Sequence, residues 1–189
     1  MKQFQILLLG GLVLFLVACG DIETNMSEDV ADFEFTTQDN GTLSLDDLEG
    51  EWWIADFVFT NCTTVCLSMT PNMSRLQSTL EEENIDAQLV SFSVDPDYDT
   101  PEVLKEYANE YEADLSNWTF LTGYDFETIK EFSITSFRSM VAEPAPDSDQ
   151  VTHGTSFFLV NPEGEVIKQY DGVDVNVVDL IVEDLKAVL

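Results

Sequence analysis

The apolar positions of this chain change period several times, and each change marks an element. From Phe33 to Leu45 they alternate around Asn40-Gly41, which predicts an N-terminal β-hairpin. After a Glu49-Gly50 turn, "WWIADFVF" (Trp52 to Phe59) is almost continuously apolar, as expected of a central strand covered on both faces. The period then becomes helical from about Thr63, through Val65, Met69, Met73, Leu76 and Leu80. A second buried strand, Ile85 to Pro96, is followed by a helix with Thr100 as cap, Pro101 at its first position and an apolar stripe through Val103, Leu104, Tyr107, Ala108 and Tyr111. Trp118 to Thr122 reads as a third strand, Asp125 as the cap of a short helix, Ala142 to Gln150 as a polar loop, and Ser156 to Tyr170 as a hairpin turning at Asn161 to Gly164. Asp174 opens a final amphipathic helix through Val177, Val178, Ile181, Leu185 and Val188. Alternating strands and helices with a terminal hairpin give an α/β sandwich around a central mixed β-sheet.

The first residues follow a different pattern. Lys2, the apolar run Ile6 to Val17 and "LVAC" (Leu16 to Cys19) make a targeting segment that resembles a bacterial lipobox. The resemblance implies a signal peptide over residues 1–18, lipidation of Cys19 and anchoring at the outer face of the cytoplasmic membrane. An uncleaved anchor helix is the alternative, disfavoured because the apolar run is shorter than the ~20 residues of a span. Residues 19–31 are then a lipidated cysteine and flexible tether, with Gly20 to Val30 polar, and residues 32–189 form the domain.

Composition changes this picture little. With 189 residues and 44% hydrophobic content the chain is long enough for one well-buried core. Its formal net charge of −30 repels polyanions, which removes nucleic acid from the candidate partners. The charge suits either solubility in salty or alkaline surroundings or docking of a basic partner.

The candidate chemistry lies between the first buried strand and its helix. Cys62 and Cys66 in "FTNCTTVCLSMTP" sit where backbone N–H groups of a helix start favour negative charge, so thiolates are stabilised there. Asp56 lies inside the preceding apolar strand, where a carboxylate is costly unless it has a task, and Pro71 lies inside the helical pattern. Both placements resemble thioredoxins, in which a buried Asp beneath the cysteines handles protons and a Pro kinks the following helix. The spacing differs, with three residues between the cysteines, and the position before the later strand holds Thr155 rather than a proline. His153, the single histidine, precedes that strand. Cys62, Cys66 and His153 are jointly a soft donor set: thiolates suit Cu(I), and imidazole suits Cu(II) as well. A zinc site needs a fourth ligand, which only Asp or Glu can supply here.

"FTNCTTVC", "MTPNM", "SFSVDPDYDTPEVLKEYA", "WTFLTG" and "THGTSFFLVNPEGEV" together resemble the Sco/SenC family of membrane-anchored copper proteins, from about Phe33 to the C-terminus. The resemblance implies a thioredoxin-like fold, copper bound by Cys62, Cys66 and His153, and a role in assembling the CuA centre of cytochrome c oxidase, whose CuA-containing subunit is the implied partner; one mechanism for that role is a metallochaperone that carries copper to the subunit. Asp95, at a strand end near the site in that fold, is expected to support the ligands. Leu67 departs from the family's usual Pro after the second cysteine, and residues 135–150 match poorly. A second mechanism uses the same residues: a thiol-disulfide reductase with Cys62 and Cys66 as redox pair and Asp56 as proton acceptor would keep the target's cysteines reduced. A third class is carried by Thr63 and Cys66, whose Thr-x-x-Cys spacing resembles peroxiredoxins; Arg75 and Arg138 are poorly placed to hold the thiolate such a peroxidase needs.

Overall fold

The computed structural model describes residues 22–63 and 66–189. The lipobox, Cys19 and the first tether residues lie outside the described residues, as does Val65 of the helical stripe. In chain order the elements are β1 (Glu28–Asp29), β2 (Glu34–Thr37), β3 (Thr42–Ser44), β4 (Trp53–Val58), α1 (Cys66–Glu83), β5 (Gln88–Ser93), α2 (Pro101–Glu110) and β6 (Trp118–Thr122). They continue with α3 (Phe126–Phe137), β7 (Val141–Ala142), β8 (Thr152–His153), β9 (Ser156–Val160), β10 (Glu165–Asp171) and α4 (Val177–Val188). Eight strands form one sheet in the order β1-β10-β9-β4-β5-β6-β2-β3, and β7 pairs with β8 in a separate ribbon. The β4–β5 and β5–β6 pairs are parallel and the other pairs antiparallel, so the sheet is mixed and the fold thioredoxin-like.

Period-2 alternation along β4 sorts its side chains to two faces. Ile54 packs with Met69, Met73 and Leu76 of α1 and with residues of α2 and α4. Trp53, Ala55, Phe57 and Phe59 pack on the opposite face with Phe132 and Phe137 of α3. Asp56 therefore points to the α1 side. Burial on both faces is what makes the β4 sequence read as continuously apolar.

Pro71 lies within α1 and cannot donate to the Leu67 carbonyl one turn back. Thr100 caps α2 by accepting from the Val103 N–H, and Asp125 caps α3 by accepting from Thr128. The helix after Asp125 runs for 12 residues to a left-handed Arg138, longer than its weak sequence pattern suggested.

Two expectations change. The polar segment expected as a tether through Val30 is folded from Asn25 onward. Asn25 and Met26 donate to the Ile167 carbonyl, β1 pairs with β10, and Val30 is buried. Backbone pairing at a sheet edge needs no apolar side chains, which is why the sequence hides it. The polar loop Ala142 to Gln150 is bracketed by β7 and β8, with Val141 opposite His153. His153 is thus held in a strand pair.

Candidate metal centre

The cysteine turn is built on the end of β4. Val94 donates to the Val58 carbonyl, and the Thr60 N–H and hydroxyl both reach the carboxylate of Asp99, the hydroxyl at 2.6 Å. The Cys62 N–H returns to the Phe59 carbonyl at 3.3 Å, tightening the turn. Cys66 is the first residue of α1. His153 Nδ1 lies 2.8 Å from the Gly154 carbonyl, which can only accept, so Nδ1 carries the proton and Nε2 offers its lone pair. Nε2 is 3.6 Å from Cys66 Sγ, and the Phe59 ring meets the imidazole edge to face at 5.6 Å.

Two sulfurs and one imidazole nitrogen lie within 4.8 Å of one another, and all three residues are buried. The Cys66 thiol is pushed well above its ordinary range, first by its hydrogen bond to Cys62, then by burial and the Cys62 charge, against a lowering contact from the Phe59 backbone. At Cys66 these effects oppose the expected stabilisation of a thiolate by the helix start. In a buried pair the second negative charge is opposed by the first. A cation placed among the donors reverses that balance, so metal binding at this site releases protons.

Within β4, Asp56 is fully buried. Burial raises its carboxyl to about 7, while the hydrogen bond from Ser91 and the His153 imidazole act to lower it. Ser91 Oγ donates to Oδ1 at 2.6 Å and accepts from Trp118 Nε1 at 2.9 Å, whereas Oδ2 has no hydrogen-bond partner. Asp56 and Cys66 thus share one electrostatic neighbourhood on the α1 side of the sheet.

Cys62, Cys66 and His153 converge. Asp95 lies in the turn after β5, where its carboxyl is raised by burial and by the facing charges of Asp97 and Asp149. Arg75 donates to Asn72 and to the Val175 carbonyl, and Arg138 pairs with Glu28, so both guanidinium groups are engaged elsewhere. The Thr63 hydroxyl bonds Gln150 Oε1. Two residues that sequence reasoning missed stand out: Asp99, which holds Thr60, and Gln150, which grips the cysteine turn.

The chain matches the SCO1/SenC family over residues 23–189. It is 46% identical over 189 residues to the SCO1 protein homolog of Bacillus subtilis, covering 99% of this chain and 97% of that protein. Among solved structures, a SCO1/SenC family lipoprotein from Bacillus anthracis superposes with a TM-score of 0.82 at 46% identity, covering 85% of this chain and 95% of that one. Copper-bound ScoI of Arabidopsis thaliana superposes with a TM-score of 0.68 at 27% identity, covering 83% and 96%. No helix among the described residues is long and apolar enough to cross a membrane.

Proposed function

From the premise that this chain belongs to the SCO1/SenC family, we propose that it binds copper through Cys62, Cys66 and His153. It acts as a metallochaperone in assembly of the CuA centre of cytochrome c oxidase, with the CuA-containing subunit as partner. Lipidation of Cys19 holds it at the outer face of the cytoplasmic membrane, an assignment supported by the lipobox and by a relative described as a lipoprotein. The observation that carries the copper reading is the convergence of two sulfurs and an imidazole nitrogen within 4.8 Å. Soft thiolates hold Cu(I), and the added nitrogen suits Cu(II). The donor set itself fits copper better than structural zinc, which takes four protein ligands.

A second reading, a thiol-disulfide reductase that keeps the CuA-site cysteines reduced, is favoured by one observation. Asp56, with its raised carboxyl, interacts electrostatically with the Cys66 thiol. A peroxiredoxin-like peroxidase has less support, because Arg75 and Arg138 are committed to other partners.

Titration of the reduced full-length chain in detergent with copper and zinc separates these readings. One copper per chain is expected, with none retained after Cys62 and Cys66 are oxidised to a disulfide. Cys62→Ser and Cys66→Ser should lose both oxidation states, whereas His153→Ala should retain Cu(I) far better than Cu(II). If oxidase assembly fails in His153→Ala while reduction of a CuA-type target persists, metal transfer is the function. Assembly that survives loss of Cu(II) binding would instead support the reductase or a Cu(I)-only transfer. Equal copper uptake by the disulfide form would sink the ligand assignment.

A further inference from the structure

The three donors arrive on two separate supports. Cys62 rides the turn after β4, while His153 rides the β7–β8 ribbon, which is not paired with the main sheet among the described residues. Gln150 spans the gap between them. Its Oε1 accepts from the Thr63 N–H at 3.0 Å and from the Thr63 hydroxyl at 3.1 Å, and its Nε2 donates to the Asn61 carbonyl at 3.0 Å. Those groups flank Cys62 on both sides, so one side-chain amide grips the turn much as a neighbouring strand would.

The grip is braced. Asp149 Oδ1 accepts from Gln150 Nε2 at 3.0 Å, and Asp149 Oδ2 accepts from Asn61 Nδ2 at 3.1 Å. The Gln150 N–H donates to Ser148 Oγ at 3.0 Å. At its other end the ribbon is fixed to α3. Ser133 Oγ donates to the Ser139 carbonyl, Gly154 donates to Met140, and a Cβ at position 154 would fall 2.6 Å from Ser139 Oγ. The arm that carries His153 therefore rests on α3 at one side and on the cysteine turn, through Gln150, at the other.

We propose that Gln150 is the positioning residue of the donor set: it fixes Cys62 and His153 relative to each other without touching the metal. This rests on the copper reading above. A metal held by two sulfurs alone needs only the cysteine turn, whereas one held by both sulfurs and the imidazole needs the two supports in register. Loss of Gln150 should thus weaken Cu(II) selectively. Removing the three hydrogen bonds from the Gln150 side chain to the turn predicts Cu(II) dissociation on the order of tenfold faster, with Cu(I) retention little changed.

The test uses the reduced full-length chain in detergent as wild type, Gln150→Ala and Gln150→Glu. Its readouts are the sulfur-to-Cu(II) absorption band, Cu(II) release to a chelator and, without metal, the ring resonances of the single histidine. Gln150→Ala should alter the band, release Cu(II) faster and move the His153 signal. Gln150→Glu keeps the acceptor for Thr63 and should recover part of each. An unchanged band and release rate in Gln150→Ala overturn the proposal, whatever the ring does. If the wild type binds no copper, the copper reading falls; a moved His153 signal then still supports the positioning role, and an unmoved one overturns it.

Discussion

Two carboxylates are buried without exposure at the same end of the sheet, and they are treated in opposite ways. Asp99 collects the Thr60 N–H, the Thr60 hydroxyl and the Ser93 hydroxyl, so both of its oxygens are occupied. Asp56 receives only Ser91, and its second oxygen is unpartnered. Burial raises both carboxyls, but at Asp99 three donated hydrogen bonds oppose it. The contrast separates two uses of a buried acid. A satisfied carboxylate fastens the chain; an under-satisfied one keeps its proton to higher pH. Burial alone does not tell these apart, whereas the donor count does.

The largest effect expected from breaking this comparison is at Asp99. Asp99→Ala strands the Thr60 N–H and two hydroxyls, and hydrogen bonds to a carboxylate are stronger than neutral ones. The copper-free reduced chain should therefore lose on the order of 4 kcal/mol, read as the shift in urea midpoint. Because Thr60 starts the turn that carries Cys62, copper retention should fall as well. A loss below about 1 kcal/mol would mean that Asp99 is not a fastener.

Asp56→Asn should act in the opposite direction. The folded carboxyl titrates near 7 against an ordinary value of 3.8, so between those values the folded chain keeps a proton that the unfolded chain has lost. Stability then falls as pH rises from about 4 through about 7 and stays low above it. Removing the acid should abolish that slope. At pH 8 the variant should be more stable than wild type by about 3 kcal/mol, somewhat below the full value of the shift, with little gain at pH 4. His153, Cys66 and Tyr107 share this electrostatic neighbourhood. They remain in both proteins, so the difference between the two pH profiles reports Asp56. Parallel profiles would remove the proton-holding role.

How far the sequence discloses these features follows from what each rests on. The alternation Ile54, Asp56, Val58 within an apolar run exposes Asp56 as an anomaly, because a charge in a two-sided buried strand violates its own pattern. The cysteines, His153 and the helix caps are likewise visible as residue types at particular positions. Asp99 is not, since "VDPDYDTP" is a turn full of acids and nothing local marks the one that turns inward. Gln150 is hidden for the same reason in a polar loop. β7, β8 and β1 are two residues each, too short for any period, and are held by backbone pairing that side-chain patterns do not encode.

The smallest effect distinguishes what Ser91 does for Asp56 from what it does for Trp118. Ser91 Oγ donates to the carboxyl and accepts from the indole N–H, both in the core. Ser91→Ala leaves Trp118 Nε1 without its acceptor at every pH, a cost of about 1 kcal/mol. The bond to Asp56 is worth more when the acid is ionised, so above pH 7 the loss should grow by roughly a further 1 kcal/mol. The deleted donor had been lowering the carboxyl, and Asp56 should therefore titrate higher still, moving the fall in stability to higher pH. Urea unfolding at pH 5.5 and pH 8.5, with the same substitution made in the Asp56→Asn background, resolves the two contributions. The pH-dependent part should vanish there and the constant part persist. If the pH-dependent part persists unchanged in that background, it does not arise from the bond between Ser91 and Asp56, and the role assigned to that bond falls.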